Sequence, residues 1–185
     1  MINRKLFFDL YKRNLDKDNK LTQKEVDALY LFIAMVDQVY YYFTLPQWAY
    51  VFATTFHETA FTFEPVKEAF HLSENWRQRN LRYFPYYGRG YVQITWLTNY
   101  EKFSELMQED LTTNPDVVLD PEYAFKIMIY GMKHGTFTGK SIGDYVNDTK
   151  TDYKGARRVI NGTDKASTID AYAREFEYIL KKVIT

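Results

Sequence analysis

A helix start written into residues 22–25 constrains this chain more than any other local feature. In Thr22-Gln-Lys-Glu25 the threonine hydroxyl and the glutamate carboxylate can each satisfy a free N–H of a first helical turn. Behind it Val26, Leu29, Tyr30, Ile33, Val36 and Tyr40 recur at helical spacing, which predicts a long buried helix over roughly 22–43. Pro46 can open the next helix, where its missing N–H costs nothing. That helix carries Trp48, Val51, Phe52 and Thr55 and ends near His57-Glu58. Further helices are expected through Asn99, Tyr100, Phe103 and Leu106, from Asp120-Pro121 to about Met132, and from Ser167 to Lys182. Gly135 and Gly139 break the second of these, Asn161-Gly162 is a turn, and short helices are expected over about 141–147 and 152–159.

From Phe61 to Tyr87 the period is lost and the chain fills with charge and rings. This reads as a long loop with one helical turn, and a loop of that length is usually functional or mobile. Almost nothing alternates as a long strand. The expected fold is therefore mainly α, a compact single domain over 1–185, with at most a small β-hairpin around 83–95. No linker or internal repeat divides it.

Composition removes several classes of function. Acidic and basic residues number 24 each, so no whole-chain field draws nucleic acid or anionic lipid. A local basic cluster around Arg77, Arg79, Arg82 and Arg89 stays open. Cysteine is absent, which excludes a disulfide framework, a thiolate metal site and a cysteine nucleophile, and fits synthesis in a reducing cytosol. The N-terminal residues show no apolar core long enough for a signal peptide, and the run from Ala28 to Val36 is far short of a membrane span. Stable membrane insertion is not expected. Aromatic residues are 18% of the chain, and either ring-rich core packing or a sugar-stacking cleft would account for them, with core packing favoured.

Among many acids, Glu58 stands out by its setting. It ends an apolar, ring-rich helix, where partial desolvation would favour a protonated carboxyl suited to a general acid. A helix-end acid paired to an arginine explains the same residue equally well. His57-Glu58 lacks the second histidine of a zinc helix, because Phe61 stands at that position, and His71 and His134 show no ligand spacing. Asp16-Lys-Asp18 begins like a calcium loop, but Lys20 replaces a ligand oxygen and no glycine follows Asn19. No metal and no cofactor are expected. Gly88-Arg-Gly90 is too short to cradle a phosphate, and Asn147-Asp-Thr149 and Asn161-Gly-Thr163 match glycosylation acceptors without a secretory context.

Taken together, Phe56-His-Glu-Thr59, Tyr86-Tyr-Gly-Arg-Gly-Tyr-Val-Gln-Ile-Thr-Trp96 and Asn99-Tyr100 resemble glycoside hydrolase family 19, which contains chitinases and many phage endolysins. Asn114-Pro-Asp116, Gly139, Tyr145 to Asn147 and Arg157-Arg-Val-Ile-Asn-Gly-Thr163 follow in the same order, and the resemblance covers roughly 48–180. It implies a lysozyme-like catalytic core over 46–185 behind an N-terminal helical part, 1–45. It also implies inversion by two carboxyls, which in such enzymes stand roughly 6.5–9.5 Å apart to admit a water. Glu58 falls on the family's acid. Glu68 follows at about the interval of the short bacterial members and is taken as the base, with Glu64 and Glu74 as alternatives. Thr95 matches a serine that holds the water, and Asn99 and Asn161 match asparagines that bond the N-acetyl group or the water. His57, Thr59, Gln93 and Tyr87 are expected in the same cleft, and Arg89 is expected to orient an acid. Trp96 can be explained by packing alone.

The substrate expected from this resemblance is the peptidoglycan glycan strand. The chain is short and cysteine-free and carries no chitin-binding module. A monomeric endolysin is expected, made in the host cytoplasm and released to the wall by a separate holin. Chitin oligomers are the alternative substrate, and a non-catalytic glycan-binding or virion-associated domain is the alternative class.

Overall fold

The computed structural model describes residues 1–16 and 20–184. The rejected calcium-loop resemblance at Asp16-Lys-Asp18 thus lies partly outside the described residues. Helix α1 (Arg4–Asn14) is capped by the Asn3 side chain. Helix α2 (Gln23–Gln38) starts with the capping box at Thr22 and Glu25, both halves of which are formed. It stops earlier than its periodicity suggests, and a 3-10 turn covers Tyr40–Tyr42. The cause is tertiary: the Trp48 indole N–H donates to the Tyr40 carbonyl at 2.8 Å, and the Tyr40 ring stacks on Trp48.

Helix α3 (Leu45–Glu58) is the axis of the core, with every residue from Trp48 to Phe56 buried. A two-residue strand β1 (Val66–Lys67) and helix α4 (Glu74–Asn80, capped by Ser73) lie in the stretch expected to be loop. Strand β2 (Arg89–Gly90) pairs antiparallel with β1, Val66 opposite Gly90 and Lys67 opposite Arg89. The small sheet therefore joins two distant segments, and only the Arg89–Ile94 bridge falls wholly within 83–95.

Helices α5 (Leu97–Met107) and α6 (Pro121–His134) follow the periodicity, α6 being capped by the Asp120 carboxylate and closed by Gly135 at φ 69°. The helix expected over 141–147 is instead a 3-10 turn (Ile142–Asp144) and strand β3 (Val146–Asn147). Strand β4 (Lys150–Thr151) completes a hairpin with β3. Its turn is set by Asn147, whose Oδ1 accepts from the Thr149 N–H and hydroxyl. Helix α7 (Tyr153–Ala156) and a 3-10 turn (Arg157–Val159) lead to the long α8 (Ala166–Val183).

Rings fill the interior. Phe7 and Tyr11 of α1, Phe32 of α2, Phe52 and Phe56 of α3 and Phe176 of α8 pack with Phe63 in one cluster of edge and tilted contacts. Each buried ring adds about 1.5–3 kcal/mol of burial, so the aromatic content is used mainly as core. Among the described residues no helix is long and apolar enough to cross a membrane.

Candidate active site

Two clusters of polar residues gather the residues singled out in the sequence. The first stands at the end of α3. There Glu58, 15% exposed, meets Arg157, 4% exposed, with Nη1 2.5 Å from Glu58 Oε1. Arg157 Nε donates to the Asp164 carbonyl at 3.0 Å, and its own carbonyl accepts from the Asn161 N–H. Glu58 is thus not an isolated carboxyl among rings. Its partner comes from 99 residues further along the chain, beyond the reach of any local pattern.

His57 stands beside this pair with its Nδ1 buried and without a hydrogen-bond partner among the described residues. Burial pulls its imidazole below the ordinary range, Glu58 opposing and Arg157 and Lys165 adding to the effect. Thr59 is fully buried and faces inward. Its hydroxyl donates to the Thr55 carbonyl at 2.8 Å and accepts from the Phe63 N–H at 3.0 Å, which turns the chain out of α3. Asn161 is exposed and its Oδ1 accepts from the Gly162 N–H.

The second cluster is built on the β1–β2 pair. Glu68 Oε1 accepts from the Tyr83 hydroxyl at 2.7 Å and Oε2 from the Gly88 N–H at 3.0 Å. The Glu68 N–H donates back to the Gly88 carbonyl at 2.7 Å. Gly88 is needed for its size: a Cβ there would fall 2.8 Å from Gln93 Oε1 and 3.3 Å from Glu68 Oε2. Gln93 Nε2 donates to the Val66 and Gly90 carbonyls, the Thr95 hydroxyl donates to the Gln93 carbonyl, and the Asn99 amide donates to the Thr95 carbonyl. Glu68, Gln93, Thr95 and Asn99 therefore form one connected wall.

Beneath that wall lies its support. Tyr87 is fully buried and donates to Glu74, which also pairs with Arg77 at 3.1 Å. Arg77 in turn donates to the Glu68 and Ala69 carbonyls. The Arg89 guanidinium lies 3.7 Å over the Tyr87 ring and pairs with Asp116, which Lys67 also holds. These cations hold Asp116 below the usual carboxylate range, against its own burial. Arg77 and Arg89 are thus spent inside the protein, which leaves Arg79 and Arg82 as the surface cations of the supposed basic cluster.

Of the other candidate bases, Glu64 turns to Lys24 of α2 at 2.8 Å. Among the described residues no hydrogen bond joins the Glu58 and Glu68 side chains. The chain between and around them is strained: Ala60, Phe61, Phe63, Ala69, Gln93 and Trp96 all have φ between 49° and 76°. Such backbone costs about 1–3 kcal/mol per residue and gathers at functional sites. Trp96 is 44% exposed, with Tyr83 against its ring and the Arg82 guanidinium 5.1 Å over it. Packing alone does not explain it. Arg157, quoted in the sequence only as part of the resemblance and given no role there, and Tyr83 are the side chains at the two carboxylates that reading the sequence did not single out; the second lies in the aperiodic 61–87 stretch, where no pattern marks it.

The comparisons with known proteins assign this mainly helical fold to a family of glycoside hydrolases. The family model for glycoside hydrolase family 19, described as chitinase class I, matches residues 16–145, and the chain belongs to that family. No curated protein sequence matches significantly. Among solved structures the fold is similar to chitinase C from Streptomyces griseus, with a TM-score of 0.62 and 23% identity over 97% of this chain and 76% of that one. A bacterial family 19 chitinase is also similar, with a TM-score of 0.51 and 18% identity over 95% of this chain and 85% of that one. The protein is a glycoside hydrolase. Arg157 and Asn161 lie beyond the matched residues 16–145.

Proposed function

We propose that this hydrolase cuts β-1,4 bonds of the peptidoglycan glycan strand with inversion. Glu58 gives its proton to the leaving oxygen, and Glu68 takes a proton from the water that attacks the anomeric carbon from the other face. Arg157 positions Glu58, while Tyr83 and the Gly88 N–H position Glu68. The observation that carries the assignment of the base is the wall itself. Of the three acids considered, Glu64 is turned to Lys24 and Glu74 is tied to Arg77 and the buried Tyr87, whereas Glu68 shares the space around Gly88 with Gln93. Thr95 and Asn99 continue that wall towards the water and the N-acetyl group.

Peptidoglycan is favoured over chitin because chitin is neutral, whereas stem peptides carry carboxylates, and Lys154, Arg158 and Lys165 stand beside the Glu58 cluster. Chitin is the second reading, favoured by the likeness to chitinase C. In the first, the protein acts as an endolysin, made in the host cytoplasm and released to the wall by a holin.

The test is reducing-end release from Gram-negative peptidoglycan beside colloidal chitin. Glu58→Gln is expected to lower turnover at least ~10²-fold, the scale of a lost general acid. Near-normal turnover in that variant overturns the assignment. Release from chitin alone makes the enzyme a chitinase.

A further inference from the structure

A cavity of about 700 Å³ opens beside the Glu58 cluster, lined by Lys154, Arg158, Lys165, Thr163, Ser167 and Thr168. The three cations are exposed, and none of them is ion-paired among the described residues. Two carboxylates border the same space. Asp152 is engaged, accepting from the Gly155 N–H at 2.7 Å and facing Lys150 at 3.6 Å, which leaves Asp164 against three cations. The cavity is also tied to the acid. The same guanidinium that holds Glu58 holds the Asp164 carbonyl, so the cavity wall and the acid share Arg157. The cavity wall at Asp164 is therefore separated from the Glu58 carboxyl by one side chain, Arg157.

We infer that this cavity is a subsite for the carboxylates that hang from a peptide-substituted glycan strand, an inference that rests on the peptidoglycan reading above. Lys154, Arg158 and Lys165 supply the charge, and the Ser167 and Thr168 hydroxyls supply neutral donors to a carboxylate oxygen. A neutral chitin chain has nothing to place there. The substituent thus sets which sugar stands against Glu58.

Exposed ion pairs are individually weak and screened by salt, so three together are expected to give about a tenfold preference at low salt. The test uses Glu58→Gln, to bind without cutting, and three soluble tetrasaccharides. One is an uncross-linked peptidoglycan fragment with its stem peptides, one the same fragment with the peptides removed by an amidase, and one chitotetraose. Calorimetric titration is expected to show the stem-bearing fragment binding about tenfold tighter than chitotetraose. The preference should fade at high salt and vanish when Lys154→Gln, Arg158→Gln and Lys165→Gln are added. A preference kept by the amidase-treated fragment assigns the cavity to the lactyl carboxylate, and one lost with the peptides assigns it to the stem.

Equal affinities, or a preference that survives the triple substitution, overturn the subsite. If the wild type nevertheless releases reducing ends from peptidoglycan, the subsite falls and the function stands. Cation-dependent binding by an enzyme that cuts only chitin leaves the subsite standing and overturns the polymer. Melting curves of the triple variant check that its fold is kept, as substitution at exposed positions requires.

Discussion

Replacing Arg157 with methionine removes a guanidinium that touches both the proposed acid and the loop beneath it, while keeping much of the side chain's apolar volume. The Arg157 side chain is 4% exposed and that of Glu58 15%, so the carboxylate left behind has little water to turn to. Breaking a buried pair from one side costs about 3–5 kcal/mol, and the partial exposure of Glu58 places this case near the lower end, about 3 kcal/mol. For a chain of this size each kcal/mol lowers the melting temperature by about 2–4 °C. Arg157→Met is therefore expected to melt about 6–12 °C below the wild type. Adding Glu58→Gln removes the stranded charge and should recover part of that loss, giving a coupling of about 2 kcal/mol in the double-mutant cycle. Thermal and urea unfolding followed by circular dichroism read both quantities. Arg157→Lys keeps the charge but not the fork that reaches Glu58 and the Asp164 carbonyl together, and should fall between. Additive effects in the cycle, or melting of Arg157→Met within about 1 kcal/mol of the wild type, would refute the claim that Glu58 is held by this pair.

Among the candidate bases, Glu68→Gln is expected to cut turnover at least ~10²-fold, whereas Glu64→Gln, which loses only its pairing with the exposed Lys24, stays near wild type. A larger loss in Glu64→Gln or Glu74→Gln moves the role. At high pH, Tyr83 and Tyr87 are pushed up to about 12, by burial and by their hydrogen bonds to Glu68 and Glu74. Their unfolded value is about 10, so their contribution to stability is present below about pH 10 and lost as pH rises through about 12. Urea titrations across that window should show the decline, and Tyr83→Phe should shrink it; an unchanged slope contradicts the Tyr83–Glu68 bond.

What could be read from the sequence is what is written locally. The capping box at Thr22, the Asp120-Pro121 start and the apolar period of α3 each depend on neighbours within a turn or two, and each is formed as expected. Glu58 could be singled out because it sits at the end of such a helix. Its partner could not, because Arg157 lies in the 3-10 turn after α7, 99 residues further along the chain, and meets Glu58 only in the folded protein. The 61–87 stretch hid a helix and a strand for a related reason. Strand β1 is two residues long and exists only because β2 pairs with it from further along the chain, Val66 opposite Gly90 and Lys67 opposite Arg89. Tyr87, expected in the cleft, is buried beneath the wall and braces Glu74, while Arg89, expected to orient an acid, holds Asp116. Thr59, next to the acid, is likewise a backbone clamp.

The two carboxylates are consequently held by supports of unequal strength. Glu58 ends a helix whose residues from Trp48 to Phe56 are all buried, so its backbone moves only when α3 loosens from the core. Glu68 hangs on a two-residue ladder flanked by left-handed residues at Phe63, Ala69 and Gln93, with its support coming from side chains rather than a continuous sheet. Regions with few buried apolar contacts and strained backbone open locally at a fraction of the global unfolding free energy. The amides of α3 should therefore exchange hydrogen only through global unfolding, while the Glu68 amide, bonded to the Gly88 carbonyl at 2.7 Å, exchanges through a smaller opening that depends less on denaturant. Native-state hydrogen exchange at increasing urea separates the two. Binding a glycan across both clusters should slow the Glu68 amide and leave α3 unchanged. If the two amides exchange with the same free energy and the same urea dependence, the walls are one cooperative unit, and the base is as firmly placed as the acid before any sugar arrives.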